Sequence, residues 1–257
     1  MDEKTRRALN AINRDFYRAS SAAFSATRRD PWRGWTRIPE LLEDRLPGRA
    51  LGILDVGCGN GRFGAYLAGA LPGRCARSRY LGVDASAPLL AEVNARPLPF
   101  GEVGTRQADF VEDPPEAWLG PERFSLIAAF GVLHHIPGHA RRRALLTALA
   151  ERLEPDGLLV AAFWRFGLFQ RFRKRRVPWA RFNELAATPI DLGQLEDGDQ
   201  LLAWGRPGRS VRYCHFANDD EILRLTAAPL CVVDDYCEDG REGALNRYVV
   251  LWMKEGA

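Results

Sequence analysis

Residues Ile53 to Arg62 read Ile-Leu-Asp-Val-Gly-Cys-Gly-Asn-Gly-Arg and decide the fold of this chain. They begin inside an apolar run, Leu51–Val56, which has the length and composition of a buried strand. Three glycines follow at alternate positions, and apolar residues at helical spacing come next: Phe63, Tyr66, Leu67 and Leu71. A buried strand, a glycine turn and a helix predict the opening of a nucleotide-type βαβ unit, in which backbone amides at the helix start face a ligand.

The glycine spacing is G-x-G-x-G, whereas dinucleotide-binding proteins carry G-x-G-x-x-G. This difference disfavours a nicotinamide oxidoreductase. With an aspartate ahead of the loop, the pattern is typical of S-adenosylmethionine-dependent methyltransferases of the Rossmann-like type. It predicts that S-adenosyl-L-methionine is bound by the loop residues Asp55, Gly57, Cys58, Gly59 and Gly61.

Acidic residues lie near the ends of the next two predicted strands. Asp84 closes the strand Arg79–Asp84, close to the ~20-residue offset from the glycine turn at which an acid meets ribose hydroxyls. Asp109 lies in the predicted strand Thr105–Phe110, where it would accept a hydrogen bond from an adenine amino group. A helix N-cap and a plain loop aspartate are the structural alternatives for the two acids. The cofactor contacts predicted outside the loop are Asp84, Ala85, Asp109, Phe110 and Phe130.

Two more apolar strands are predicted at Phe124–Phe130 and Leu158–Trp164, with a helix between them. Strands that alternate with helices across short turns predict an α/β fold with a parallel sheet covered on both faces. Ligands of such sheets bind outside the carboxyl ends of the strands, where His134 and His135 follow the fourth strand. The helix after them begins near Arg141–Arg143, which indicates either an acidic group nearby or a solvated face.

Residues 1–50 are expected to form a helical cap on a methyltransferase domain that spans residues 51–257. The cap holds predicted helices at Arg6–Tyr17 and Trp35–Leu46, and its aromatic and arginine residues suit either a structural cap or a lid over a ligand. Residues 166–212 break the alternation and are the predicted substrate-binding insert. From 165 to 212 there are ten Arg or Lys against five Asp or Glu, interleaved with aromatics, a pattern that suits nucleic acid or a solvated face.

The 257 residues, 46% of them hydrophobic, fit one large globular domain with a sizeable core. No apolar run approaches the ~20 residues of a membrane span, so we expect no membrane partner. The residues after Met1 lack a secretory pattern and the five cysteines form no C-x-x-C pair, which predicts a cytoplasmic protein with reduced thiols. We predict no metal, because a zinc site from Cys214, His215, Cys231 and Cys237 would need adjacent strand residues to face one way.

Several further segments resemble one family. They are Phe24-Ser-x-Thr-Arg28-x-x-Pro31-Trp32, Val132-Leu-His134-His135, Val177-Pro-Trp179 and Arg212-Tyr-Cys-His215-Phe. With the glycine motif, they make the chain similar to the tRNA wobble-uridine carboxymethyl methyltransferases, which esterify 5-carboxymethyluridine in the anticodon with S-adenosylmethionine. The chain departs from the family pattern at Cys214, and at Arg247-Tyr248 after Asn246, where aromatic residues are usual.

The resemblance implies a class I methyltransferase fold with a Rossmann-like sheet of seven strands, mostly parallel with one closing antiparallel strand. It implies tRNA as the substrate. Eukaryotic members of the family also work with a small zinc-binding activator subunit, which makes such a subunit a candidate partner.

Methyl transfer to a carboxylate needs no general base, because a reference pKa near ~4 leaves the acceptor ionised at neutral pH. Catalysis would come from alignment of the reactants and removal of water from the attacking carboxylate. An arginine can hold one carboxylate oxygen while the other attacks. The candidates for holding the carboxylate are Arg28 and Arg212, which lie in the segments that carry the resemblance, and His135 and Tyr213 would orient the substrate. The candidates for stacking on uracil are Trp164 and Trp179.

Two other functions remain open at this stage. A methyltransferase for a small metabolite would share the cofactor site and leave the basic insert solvated. A non-catalytic binding subunit is disfavoured, because the glycine loop and both strand-end acids are intact.

Overall fold

The computed structural model describes residues 1–26, 30–96, 98–205 and 210–253. Its helices are α1 (Glu3–Ala26), α2 (Ile38–Arg45), α3 (Arg62–Ala70), α4 (Pro72–Cys75), α5 (Ala87–Ala95), α6 (Pro115–Trp118), α7 (His139–Ala150), α8 (Gln170–Arg173), α9 (Trp179–Leu185) and α10 (Asp219–Leu225). Its strands are β1 (Gly52–Val56), β2 (Arg79–Asp84), β3 (Glu102–Gln107), β4 (Phe124–Phe130), β5 (Leu153–Trp164), β6 (Arg176–Val177), β7 (Asp199–Ala203), β8 (Val211–His215), β9 (Leu230–Glu238) and β10 (Asn246–Met253).

Seven of these strands form the main sheet, in the order β3-β2-β1-β4-β5-β10-β9. The strands from β3 to β5 pair in parallel, and β10 runs antiparallel to both of its neighbours. This confirms the predicted Rossmann-like sheet with one closing antiparallel strand. The chain turns from one half of the sheet to the other between β1 and β4, the position at which open α/β sheets bind ligands.

The two central strands are apolar throughout because both of their faces are covered. Every residue of β1 and of β4 is buried. One face packs against α2 and α3, with Leu42, Phe63 and Leu67 in its apolar cluster. The other packs against α7 and α10, with Leu146 and Ile222 in the second cluster.

Strand β3 does not reach as far as predicted. It ends at Gln107, so Asp109 and Phe110 lie in the turn that follows and the predicted strand Thr105–Phe110 is wrong at its carboxyl end. The Asp109 carboxylate accepts hydrogen bonds from the backbone amides of Val111 (3.0 Å) and Glu112 (3.2 Å). An aspartate that binds the backbone two residues ahead stabilises a turn and ends extended pairing.

The insert contains a small antiparallel sheet, in the order β6-β7-β8, which continues to His215. Helix α1 packs on it, and Leu9 joins Leu201 and Tyr213 in one apolar cluster. The N-terminal helix and the insert therefore form a single layer over the carboxyl ends of the main-sheet strands.

A buried ionic cluster ties this layer to the main domain. Arg142 on α7 is 1% exposed and forms ion pairs with Glu196 and, at 2.7 Å, with Glu221 on α10. His215 on β8 bonds Asp199 through Nδ1 and Glu221 through Nε2, each at 2.8 Å. The acidic group expected near Arg141–Arg143 is thus present, and the solvated-face alternative is wrong for Arg142. We call these five residues the Arg142 cluster.

Two pKa shifts in the Arg142 cluster show how tightly its charges are coupled. Burial by itself lowers the pKa of His215, but the hydrogen bonds to Asp199 and Glu221 outweigh burial, and the pKa lies above its ordinary value. Burial raises the pKa of Glu221, yet the His215 hydrogen bond and the charges of His215 and Arg142 bring it down to about 2. The protonated imidazole is therefore the form that holds the two carboxylates together.

We expect the stabilising effect of His215 to be largest at mildly acid pH. A group whose pKa is raised by folding contributes its full stabilisation below the unfolded-state pKa, near ~6.5 for histidine, and loses it as the pH rises through the folded value. The free energy of unfolding of the wild-type protein minus that of His215→Gln should therefore fall as the pH rises above that point. Urea denaturation of both proteins across this range measures the difference. Asp55 also titrates in this range, because its pKa is raised to about 7, but it is present in both proteins and its contribution cancels. Parallel curves would show that His215 does not titrate on unfolding.

No helix among the described residues combines the length and apolar character that crossing a bilayer requires.

Candidate active site

A large cavity opens at the carboxyl ends of β1, β2, β4 and β5, beneath α1. Its volume is about 1440 Å³, and both the glycine loop and the insert line it. The loop side holds Gly57 and Gly59, and the insert side holds Trp164 and Arg212. One continuous space can therefore take a nucleotide-sized cofactor and an acceptor group together.

The glycine loop requires its glycines for different reasons. Gly57, Gly59 and Gly61 all have positive φ, at 71°, 55° and 76°. A Cβ atom on Gly57 would lie 2.2 Å from the Val132 side chain, whereas one on Gly59 would meet no atom within 4 Å and would enter the cavity. Gly61 is the N-cap residue immediately before α3 and is not among the residues that line the cavity. The loop thus leaves room for a ligand to lie against its backbone.

Asp84 holds the glycine loop in place. Its carboxylate accepts hydrogen bonds from the backbone amides of Gly59 (2.9 Å) and Ser86 (2.8 Å), and burial raises its pKa. Asp55 lines the cavity beside it, accepts a hydrogen bond from the Tyr80 hydroxyl at 2.7 Å, and has its pKa raised to about 7, mainly by burial. Both residues line the cavity, so their carboxylates can attract a positively charged ligand into it.

The remaining loop and strand-end residues surround the same space. Cys58 is buried, which raises the pKa of its thiol, and Ala85 is exposed at the cavity wall. Phe130 lies at the end of β4 with its ring 4.9 Å from that of Phe63. Phe110 lines the cavity and contacts Trp118 edge-on at 5.2 Å. These residues give the cofactor end a mostly apolar wall.

Asp109 lines the cavity but already has a side-chain partner that the sequence did not indicate. The Asn10 amide on α1 donates to its two oxygens, at 3.1 and 2.9 Å. Arg14, one turn further along α1, lies 3.9 Å from the same carboxylate. An adenine amino group would share Asp109 with Asn10, so α1 lies directly against the predicted adenine site.

The insert side of the cavity, which is the predicted acceptor end, is built around Arg212. This residue is 7% exposed, and its guanidinium lies over the ring of Trp164 (4.9 Å) and over that of Phe16 (5.4 Å). An arginine held between two aromatic faces keeps its orientation with its charge retained. His135 lines the same space and contacts Tyr17 through Nε2 at 2.8 Å.

Two of the predicted substrate contacts are not brought to the cavity. The Tyr213 ring is fully buried, which raises its pKa, and its hydroxyl donates to Asp199 at 2.6 Å, so the prediction that it orients the substrate disagrees with its placement. Trp179 donates to the Asp199 carbonyl at 3.2 Å and is not among the lining residues, which leaves Trp164 for stacking. Arg28 lies outside the described residues.

The five cysteines are free thiols. Cys231 and Cys237 belong to none of the potential metal-ligand groups found among the described residues, so these give no support to the four-residue zinc alternative. His215 uses both ring nitrogens within the Arg142 cluster.

The described part of residues 1–50 contributes to the cavity wall, as the lid alternative expects, through residues that the sequence patterns did not single out as ligand contacts. Asn10, Asn13 and Tyr17 all line the cavity, as does Trp32, and Arg62 lies over the Trp32 ring at 5.5 Å. Only the helical spacing of Asn10, Asn13 and Tyr17, which puts polar groups on one face, could have indicated this role.

Comparison with known proteins agrees with this arrangement. Residues 54–159 match the family described as methyltransferase domain. Over these residues, the sequence is that of a methyltransferase domain. The cofactor that goes with such a domain is S-adenosyl-L-methionine, and the open backbone at Gly59 leaves room for a ligand there.

Three curated relatives carry methyltransferase names. A protein of Encephalitozoon cuniculi that is named a methyltransferase is 26% identical over 82% of this chain and 82% of its own length. The trans-aconitate 2-methyltransferase of Deinococcus radiodurans is 32% identical over 57% of this chain and 47% of its own. The tRNA (carboxymethyluridine(34)-5-O)-methyltransferase of Arabidopsis thaliana is 30% identical over 58% of this chain and 31% of its own length.

Solved structures share the fold at low sequence identity. Magnesium protoporphyrin IX methyltransferase from Synechocystis, solved with bound S-adenosylhomocysteine, is 16% identical, with a TM-score of 0.60 over 95% of this chain and 99% of its own. The fold class predicted from the sequence is therefore confirmed.

Proposed function

We propose that this protein transfers the methyl group of S-adenosylmethionine to the carboxylate of a carboxymethylated wobble uridine in tRNA. The observation that carries the proposal is the Arg212 guanidinium, which lies over the rings of Trp164 and Phe16 in the same cavity as the glycine loop. A buried, oriented arginine suits a carboxylate because its fork of donors matches two oxygens.

We expect the two ends of the cavity to have different roles, one in binding the cofactor and the other in binding the acceptor. Asp84 and the Gly59 backbone hold one wall of the cofactor end, while Arg212 holds one carboxylate oxygen and leaves the other to attack. When bound, the cofactor supplies an electrophilic methyl group on a sulfonium sulfur. Trp164 offers a face on which a uracil ring can stack, and the roof formed by α1 excludes water from the nucleophile.

The exposed residues of the insert support an RNA substrate. Arg173, Lys174, Arg175 and Arg176 are consecutive and exposed at the end of α8, and Arg175 also lines the cavity. Basic side chains beside a cavity attract a phosphate backbone and make binding weaken steeply with salt. The relative from Arabidopsis thaliana, whose name specifies carboxymethyluridine 34 of tRNA, supports the same substrate.

The direct test is mass spectrometry of wobble nucleosides from cells with and without the gene. Loss of the methyl ester with accumulation of free 5-carboxymethyluridine would support the proposal. Gel shifts with tRNA at several salt concentrations give a second measurement. An unchanged nucleoside profile together with salt-insensitive RNA binding would contradict the tRNA assignment.

A small carboxylic acid is the second candidate acceptor. The relative from Deinococcus radiodurans, named a trans-aconitate methyltransferase, favours this alternative, and Arg212 suits a small carboxylate equally well. Purified enzyme offered both trans-aconitate and tRNA bearing 5-carboxymethyluridine would distinguish the two acceptors by their kcat/KM. A non-catalytic binding subunit would fail to methylate either acceptor and, in its simplest form, would bind no cofactor.

We also propose that a small activator subunit binds this protein, as the family resemblance implies. Strands β3 and β9 are the edges of the main sheet, and Val103 on β3 is 38% exposed. Unpaired strand edges with apolar side chains are surfaces that a partner can cover. If such a subunit is required, the protein purified alone should show weak activity that rises when cell extract is added.

Replacing Asp84 with alanine is expected to weaken cofactor binding about 10- to 100-fold, because charged hydrogen bonds contribute about 1.5–3 kcal/mol and the carboxylate also holds the Gly59 amide. Calorimetric titration with S-adenosylhomocysteine measures this loss. Asp44→Ala, at an exposed site on α2, is the matched control and should bind normally. Equal affinity in the two variants would remove Asp84 from the cofactor site.

A further inference from the structure

A hydrogen-bonded pair of Tyr17 and His135 lines the cavity and has no task in methylation of a carboxylate. The Tyr17 hydroxyl lies 2.8 Å from Nε2 of His135, and the two rings meet edge-on with centroids 5.5 Å apart. Both side chains line the cavity, as Val132 and Arg212 also do. A carboxylate acceptor is already ionised and needs no proton removed.

The partners of His135 assign the direction of this hydrogen bond. Nδ1 lies 3.1 Å from the backbone carbonyl of Tyr213, which can only accept, so this nitrogen carries the proton. The Asn13 amide nitrogen is also a donor and lies 3.3 Å from the same Nδ1, further away than the Tyr213 carbonyl, so the shorter contact decides the assignment. With Nδ1 protonated, Nε2 of the neutral ring is an acceptor and the Tyr17 hydroxyl donates to it.

This arrangement has the parts of a proton relay. A base, His135, is oriented by a third group, the Tyr213 carbonyl, and accepts the proton of a hydroxyl on Tyr17, a residue that lines the cavity. Such an arrangement allows the hydroxyl oxygen to take a proton from a bound group while passing its own proton to the base.

We infer that the site also methylates an acceptor that must lose a proton, an O–H or N–H group, with Tyr17 and His135 as the proton relay. The inference rests on the methyl-donor site of the proposed function and does not depend on the carboxylate acceptor. A bond forms between the acceptor oxygen or nitrogen and the methyl carbon as the methyl–sulfur bond breaks, and its electron pair goes to sulfur. The acceptor's proton moves to the Tyr17 oxygen, and the Tyr17 proton moves to Nε2, so the positive charge lost by sulfur ends on His135.

The kinetic test uses two anticodon stem-loop RNAs that differ at one nucleotide. One carries 5-carboxymethyluridine, the carboxylate acceptor, and the other carries 5-hydroxyuridine, the protic acceptor. Tyr17→Phe keeps the ring and removes the hydroxyl, so the ratio of kcat/KM on the protic RNA to that on the carboxylate RNA should fall about 100-fold or more. Tyr66→Phe, on α3 outside the cavity lining, is the matched control and should leave the ratio at the wild-type value.

A solvent isotope effect supplies a second kinetic measurement. Wild-type turnover should slow in deuterated water with the protic RNA and not with the carboxylate RNA, because a proton moves only in the first reaction. A Tyr17→Phe variant that loses the same factor on both RNAs, or a wild-type enzyme that leaves 5-hydroxyuridine unmodified, would overturn the relay.

The third measurement is independent of turnover. Nitrogen-15 NMR of labelled histidine, assigned by comparison with His135→Gln, should show His135 in the Nδ1-protonated form. Protonation of Nε2 in the neutral ring would overturn the inference, because Tyr17 could not then donate to it. Failure to bind S-adenosylhomocysteine in calorimetry would instead reject the proposed function, which separates the two failures.

Discussion

Replacing Arg142 with methionine is expected to lower the free energy of unfolding by about 3–5 kcal/mol, the range for removing one partner of a buried ion pair. Arg142 is 1% exposed, and its guanidinium is the common partner of Glu196 and Glu221. Its Nη1 also donates to the Ile136 carbonyl at 2.8 Å. Without it, the buried Glu221 carboxylate, the half-buried Glu196 carboxylate and a carbonyl lose their charged donor, while methionine fills much of the volume.

Urea denaturation followed by circular dichroism measures this effect. The neighbouring Arg141 is exposed on the same helix, so Arg141→Met is the matched control and should change the free energy of unfolding by no more than about 0.5 kcal/mol. Equal stability of the two variants would mean that the Arg142 cluster does not hold the insert to the main domain.

Replacing Arg212 with methionine is expected to lower kcat/KM for the carboxylate acceptor about 100- to 1,000-fold, the range for removing one oriented donor from a reacting oxygen. Methionine preserves apolar contact with Trp164 and Phe16 and removes only the charged fork. The affinity for S-adenosylhomocysteine should stay within a few-fold of wild type, because Arg212 lies at the acceptor end.

Methyl-ester formation and cofactor titration, measured on the same preparations, separate the two effects. Arg181→Met, an exposed arginine of the insert on α9, controls for loss of general positive charge and should reduce kcat/KM far less. If Arg212→Met and Arg181→Met behave alike, the contribution of Arg212 is long-range charge, and the proposed carboxylate grip is wrong.

The main sheet could be predicted because apolar runs and closely spaced glycines are visible within short stretches of the sequence. Strands β2 and β4 have the bounds that the apolar runs indicate, and the glycine loop follows from three residues with positive φ. Each of these features depends on neighbours in sequence, so the sequence alone is sufficient to find it.

The acceptor end depends on contacts between distant segments, and there the prediction was incomplete. Tyr213 belongs to a motif that suggests substrate contact, yet its ring points into the cluster with Leu9 and its hydroxyl binds Asp199. Tyr17 carries no motif, yet α1 brings it to His135 across 118 positions of sequence. Side-chain direction on β8 is set by the packing of α1, which no local pattern contains.

Helix α1 contacts both ends of the cavity through residues only three positions apart. Asn10 binds Asp109 at the predicted adenine end, and Asn13 binds the backbone of Tyr213, next to Arg212. Anyone who grafts the acceptor specificity of this protein onto another methyltransferase would therefore have to transplant the N-terminal helix with the insert. A chimera given the insert alone would receive the arginine without the scaffold that aligns it.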